Sequence, residues 1–133
     1  MHVNALDHVN IITDKLDETA AFYAALLSLE RRDGPPPLNP AQVQWMYDAG
    51  GKAVLHLNSV DCPRAFDRTV ELGALTGAIH HVALACSGFD EIMRRIEAMG
   101  LVHKVNTIES IGLRQVFTAD PNNVLLELNF FGA

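Results

Sequence analysis

The stretch Leu6-Asp7-His8-Val9-Asn10-Ile11 returns as Ile79-His80-His81-Val82-Ala83-Leu84, 73 positions later (81 minus 8). Further along, Val54-Leu55-His56-Leu57-Asn58 returns as Leu125-Leu126-Glu127-Leu128-Asn129, 71 positions later (127 minus 56). The two offsets nearly agree, so they describe one unit present twice. In each copy a side chain able to bind metal sits at the same place. Related by a pseudo-twofold axis, the copies would bring His8, His56, His81 and Glu127 toward a common point. Three imidazoles and one carboxylate suit a divalent transition metal, whose ligands are nitrogen and oxygen donors of this kind.

Outward from these stretches, each half reads as strand, helix, then further strands. Residues 5–13 are β-branched and apolar, as a strand requires. Asp17 is placed to cap a helix running to about Leu29, with Ala20, Ala21, Phe22, Ala24, Ala25, Leu26 and Leu27 as helix formers and apolar stripe. Gly34-Pro35-Pro36-Pro37 supports neither helix nor central strand. Gln42–Asp48 and Lys52–Asn58 form a hairpin across Ala49-Gly50-Gly51, which tolerates positive φ. The second half repeats the scheme: a strand at Ile79–Cys86, a helix at Asp90–Met99 closed by Gly100, and a hairpin of Leu113–Thr118 with Val124–Phe130 around Asp120-Pro121-Asn122-Asn123. Residues 61–78 read as a connection with one short helix around Ala65–Leu72. The expectation is a single domain over 1–133, with module one at about 5–60 and module two at about 78–131.

Strand alternation sorts the side chains. His8 shares a face with Asn10 and Ile12, His81 with Ala83 and Ala85, His56 with Val54 and Asn58, and Glu127 with Leu125 and Asn129. Val9, Ile11, Leu55, Leu57, Val82, Leu84, Cys86, Leu126 and Leu128 face the other way, toward the helices. His80 alternates away from the proposed site and reads as structural, like His2. Arg114 and Gln115 are weaker candidates for binding a substrate carboxylate. Trp45, Met46, Tyr47 and Phe117 line either an apolar pocket or the core.

The 133 residues are 49% hydrophobic and 20% charged, normal for a globular domain. A formal net charge of −6 argues against a nucleic-acid surface, which needs a basic patch. No apolar run reaches the ~18 residues of a membrane span. The opening Met1-His2-Val3-Asn4-Ala5 lacks the basic and apolar regions of a signal peptide, so the expected location is the cytoplasm. Cys62 and Cys86 then read as free thiols. Gly-rich phosphate loops are absent, and Ser59 and Ser110 lack a nucleophile-elbow context.

The chain resembles the vicinal oxygen chelate superfamily, which includes glyoxalase I, bleomycin-resistance proteins, fosfomycin-resistance proteins and extradiol dioxygenases. The likeness rests on Leu6-Asp7-His8-Val9, Phe22-Tyr23 with Leu26-Leu27, Ile79-His80-His81-Val82-Ala83, and Asp120-Pro121-Asn122-Asn123 leading to Leu126-Glu127-Leu128. It implies an α+β fold of two tandem βαβββ modules, forming a cupped mixed sheet with helices on its outer face. It also implies a divalent ion (Zn, Ni, Mn or Fe) on His8, His81 and Glu127, a small-molecule substrate and a homodimer. The position of His56 is often glutamate in glyoxalase-like members, so His56 is expected as a fourth ligand, a proton shuttle or a substrate donor. With Glu127 it forms the expected catalytic pair. The activity implied first is that of a glyoxalase-type lyase or isomerase. An Fe(II) extradiol dioxygenase is the alternative, although Phe117 stands where such enzymes usually carry tyrosine. A resistance protein that only binds its antibiotic is the third reading.

Overall fold

The computed structural model describes residues 1–65, 73 and 75–132. Two compact units divide the chain, Met1–Leu72 and Gly73–Ala133. The first contains β1 (Val9–Thr13), α1 (Leu16–Leu27), β2 (Glu30–Asp33), β3 (Val43–Tyr47) and β4 (Ala53–Ser59). The second contains β5 (Val82–Cys86), α2 (Phe89–Ala98), β6 (His103–Ile108), a 3-10 turn (Glu109–Ile111), β7 (Leu113–Ala119) and β8 (Leu125–Phe131). Each unit is thus a βαβββ module with its own four-stranded mixed sheet, ordered β1-β4-β3-β2 and β5-β8-β7-β6. The first strand pairs parallel with the last, and the remaining pairs are antiparallel.

The registers repeat like the sequence. Asn10 lies opposite His56 in unit 1, and Ala83 lies opposite Glu127 in unit 2. On the other side His56 faces Trp45, and Glu127 faces Phe117. Both hairpins turn on an aspartate. Asp48 Oδ1 accepts the N–H groups of Gly50 (3.0 Å) and Lys52 (2.9 Å). Asp120 Oδ1 accepts those of Asn122 (2.7 Å) and Val124 (2.8 Å). The left-handed position is Gly51 in one turn (φ 82°) and Asn123 in the other (φ 64°). These are the residue types that tolerate positive φ.

One face of each sheet is the core. In unit 1, Ile11, Met46, Leu55 and Leu57 are buried, as are Ala20, Phe22, Tyr23 and Leu26 of α1. In unit 2, Val116, Leu126, Leu128 and Phe130 are buried with Ile92 and Ile96 of α2. Each large aliphatic side chain so buried contributes about 1.5–3 kcal/mol.

Several expectations need correction. The helix α1 begins at Leu16, and its cap residue Lys15 makes no side-chain cap hydrogen bond, so Asp17 is not the cap. Instead Thr13 Oγ1 accepts the Lys15 N–H (3.0 Å) and Asp17 accepts from Arg31 (2.6 Å). The helix stops at Leu27 because Ser28 is left-handed (φ 57°). The strands start later than their apolar runs: β1 at Val9 and β5 at Val82, so His8, His80 and His81 all precede a strand. Strands β2 and β6 complete the expected βαβββ order but were not placed from the residues, and every residue of both is exposed. Such edges bury no alternating face, and the charged side chains of β2 guard its edge against pairing with other chains. The short helix expected around Ala65–Leu72 lies outside the described residues except for Ala65.

Candidate metal centre

In unit 2 the site is built around Glu127. It projects from the middle of β8, beside Ala83 of β5, whose methyl group leaves space over the carboxylate. His81, two residues before Ala83, reaches into that space. Its Nε2 lies 3.8 Å from Glu127 Oε1, with the histidine side chain 37% exposed and the glutamate 14%. Behind Glu127, Asn129 Nδ2 donates to Oε2 (3.0 Å). On the far side of His81, His80 and His81 share a hydrogen bond between their Nδ1 atoms (2.9 Å). Sequence reasoning set His80 aside because it assumed alternation from residue 79. Alternation holds only inside a strand, and β5 starts at Val82.

In unit 1 the matching position on β4 is His56, and its surroundings differ. Its ring stacks on Trp45 of β3, with centroids 4.0 Å apart and planes 6° from parallel. The His8 ring stacks at 3.7 Å and 13°. His8 Nδ1–H donates to Asp7 Oδ2 at 2.5 Å, and that hydrogen bond holds the Asp7 carboxyl below its usual range. Burial, followed by the neighbouring His8, pushes the His56 imidazole down; Asp7 opposes this weakly. Asp7 was given no role from the sequence, and Trp45 was read only as lining an apolar pocket or the core. Adjacency to His8 was the available signal for Asp7. The Trp45 contact depends on the β3–β4 register.

A metal bound to an imidazole nitrogen lies in the ring plane. Ligand bonds of about 2.1 Å place nitrogen and oxygen donors roughly 3.0–3.4 Å apart around an ion. His81 and Glu127 are a few tenths of an ångström wider than that, so this pair fits an ion with a small adjustment. His8 also suits a donor role. A metal-bound histidine commonly gives its other N–H to a carboxylate, and Asp7 takes that place. His8 and His56 as stacked do not fit together, because the planes of two nearly parallel stacked rings, with centroids 3.7 Å apart, share no nearby point. One ring must turn before both can hold one ion. Among the described residues, no group of three or more His, Cys, Asp or Glu gathers at ligand distance. The structure brings His8 together with His56 and His81 together with Glu127.

The weaker candidates have other partners. Arg114 lies over the Phe89 ring, 3.9 Å from its centroid. Gln115 is buried and hydrogen-bonded through both ends of its amide. Met46 is core, whereas Trp45 and Tyr47 are half-buried. His103 is exposed at the start of β6. Cys62 and Cys86 are free thiols. Among the described residues no helix is long and apolar enough to cross a membrane.

Residues 5–128 match the Glyoxalase/Bleomycin resistance protein/Dioxygenase superfamily. The chain belongs to this superfamily. It is 23% identical over 130 residues to Glyoxylase I 4 of Arabidopsis thaliana, covering 96% of this chain and 71% of that protein. Two solved structures share the fold. A mutant of the fosfomycin resistance protein FosX from Listeria monocytogenes, complexed with Mn(II) and 1S,2S-dihydroxypropylphosphonic acid, aligns with a TM-score of 0.65 and 22% identity, covering 96% of this chain and 90% of that one. A glyoxylase/bleomycin resistance protein/dioxygenase domain from Frankia sp. aligns with a TM-score of 0.70 and 14% identity, covering 98% and 94%.

Proposed function

We propose that this superfamily member is a metal-dependent enzyme that takes a small substrate by two neighbouring oxygens and carries out glyoxalase-type lyase or isomerase chemistry. The observation that carries this reading is the His81–Glu127 pair, with Nε2 and Oε1 turned toward each other at 3.8 Å. A divalent ion would be held by His8, His81 and Glu127, with His56 within reach. The FosX complex with Mn(II) and a vicinal diol supports both the ion and the substrate class. A bound ion supplies Lewis-acid polarisation of the substrate oxygens.

The chain's own residues supply the rest. Glu127 and His56 occupy matching strand positions and form the proton-moving pair, one anchoring while the other transfers. Histidine is suited to that exchange near neutral pH. Trp45 and Phe117, the cross-strand neighbours of this pair, offer apolar surface beside it. Phe117 brings no hydroxyl opposite Glu127, which favours this chemistry over ring cleavage with O₂. The two modules act as one domain, and the chain pairs as a homodimer. The ligands come either from one chain or from two.

Metal analysis and a substrate screen test the reading. Purified protein should carry about one divalent ion per pair of modules, and His8→Ala and Glu127→Ala should each lose most of it. Unchanged metal content in both variants would remove the site. A panel of 2-oxoaldehyde–thiol adducts, fosfomycin and catechols is run with Zn²⁺, Mn²⁺ and Fe²⁺, in air and without oxygen. Turnover with Zn²⁺ or Mn²⁺ in the absence of O₂ is expected. Activity confined to catechols with Fe²⁺ and O₂ would establish the dioxygenase instead, and tight binding without turnover a resistance protein. Sedimentation of a stable monomer at micromolar concentration would refute the dimer.

A further inference from the structure

A row of three side-chain amides crosses the sheet of unit 2 and ends on Glu127. Asn106 of β6, Gln115 of β7 and Asn129 of β8 are successive cross-strand partners. Asn106 Nδ2 donates to Gln115 Oε1 (2.8 Å), Gln115 Nε2 to Asn129 Oδ1 (3.2 Å), and Asn129 Nδ2 to Glu127 Oε2 (3.0 Å). The polarity of the row is dictated from the carboxylate end. An ionised carboxylate only accepts, so Asn129 must offer its NH₂ group. Its carbonyl then accepts from Gln115, whose own carbonyl accepts from Asn106. All three amide dipoles point their positive ends toward Glu127, so each bond strengthens the next. Gln115 is only 9% exposed. Turning its amide would set like groups against each other at both neighbours, which is costly at the part-buried Asn129.

Among the described residues, unit 1 has no such row. At the position matching Asn129, Asn58 accepts from Asn10 Nδ2 (2.5 Å). Val43 lies across from Asn58, where unit 2 has Gln115 across from Asn129, so an amide row has no next member.

We propose that Gln115, Asn129 and Asn106 are positioning residues for Glu127. They hold Oε2 and leave Oε1 as the one oxygen offered on the His81 side. Glu127 then acts as a single-oxygen donor with its orientation set before the ion arrives. This rests on the reading of Glu127 as a metal ligand. Partners of this outer kind typically cost 10–100-fold in metal affinity when lost.

Two measurements on the folded full chain test it: the dissociation constant for Zn²⁺ and the side-chain amide NMR spectrum of the metal-free protein. Gln115→Met keeps the shape and deletes the relay, and should weaken Zn²⁺ about 10-fold. Gln115→Glu reverses it: the new carboxylate takes the Asn129 NH₂ and turns the Asn129 carbonyl toward Glu127. That variant should lose about 100-fold. Asn106→Leu removes only the exposed end and should cost less than Gln115→Met. In metal-free protein, Glu127→Gln should shift the side-chain amide signals of Asn129, Gln115 and Asn106 together, which reports the relay even if a Gln115 variant folds poorly. Shifts confined to Asn129, or wild-type Zn²⁺ affinity in folded Gln115→Glu, would overturn the positioning role alone. A folded wild-type chain that binds no Zn²⁺ would overturn the ligand reading together with it.

Discussion

Strands β4 and β8 occupy the same place in their units, yet they present different chemistry. In β8, Glu127 stands next to an alanine, held from behind by amides, with one oxygen turned to His81. In β4, His56 stands between two rings, Trp45 and His8. The backbone registers agree, so the difference comes from neighbouring side chains. Polar amides hold one carboxylate oxygen from behind and leave the other facing the histidine. Flat rings hold an imidazole half-buried and depress its pKa. A duplicated fold can therefore carry two unlike half-sites, because identity is free to vary wherever the core does not constrain it.

The largest expected effect strikes this contrast directly. Glu127→Ala should weaken Zn²⁺ binding by more than about 100-fold, beyond the usual cost of losing an outer partner, while His56→Ala should cost under about 10-fold. Equilibrium dialysis reads both. Equal losses would show that the stack opens and that both strands ligate alike.

Next in size is a comparison of the shared core. Leu57 and Leu128, at matching positions, are each fully buried. Alanine at either should destabilise by about 2–5 kcal/mol in urea titrations. A much smaller loss for Leu128→Ala would sharpen the contrast by showing that unit 2, where α2 buries only Ile92 and Ile96, is the looser one.

The ring stack should contribute a smaller amount. His56→Phe keeps an aromatic ring between Trp45 and His8, whereas His56→Ala removes it. The two variants should differ by about 1 kcal/mol beyond the area term, the usual worth of an aromatic pair. Identical stabilities would mean that the rings merely lie together.

The smallest effect lies at the ends of the first strands. Cys86 closes β5, and the matching residue of β1 is Thr13, which does not titrate in this range (86 minus 13 is 73, the repeat offset). Burial pushes the Cys86 thiol above its ordinary 9.0. The folded state therefore favours the protonated thiol. The resulting stability is complete below pH 9.0 and is lost as pH rises through the folded value. Iodoacetamide should accordingly modify Cys86 more slowly than free cysteine at pH 8. A rate equal to that of free cysteine would show that the β5 end opens.

The legible parts of the sequence were those where chemistry repeats locally. Apolar alternation at Leu55–Leu57 and Leu126–Leu128, the two aspartate turns and the duplicated histidines all show in a short window. The strands Glu30–Asp33 and His103–Ile108 did not, because polar edge residues carry no buried period. Helix α1 started one residue before its expected cap because Thr13, at the end of a strand, took the role of accepting the free N–H.

The chain by itself therefore determined the duplication, the strand faces and the residue types available for a metal. Those follow from local periodicity and from donor chemistry. Only the tertiary structure decided which neighbour each donor meets: Trp45 and His8 beside His56, and the amide row behind Glu127. These contacts join residues on different strands or on irregular segments before them. Their alignment depends on β-sheet register, which no short window of sequence contains.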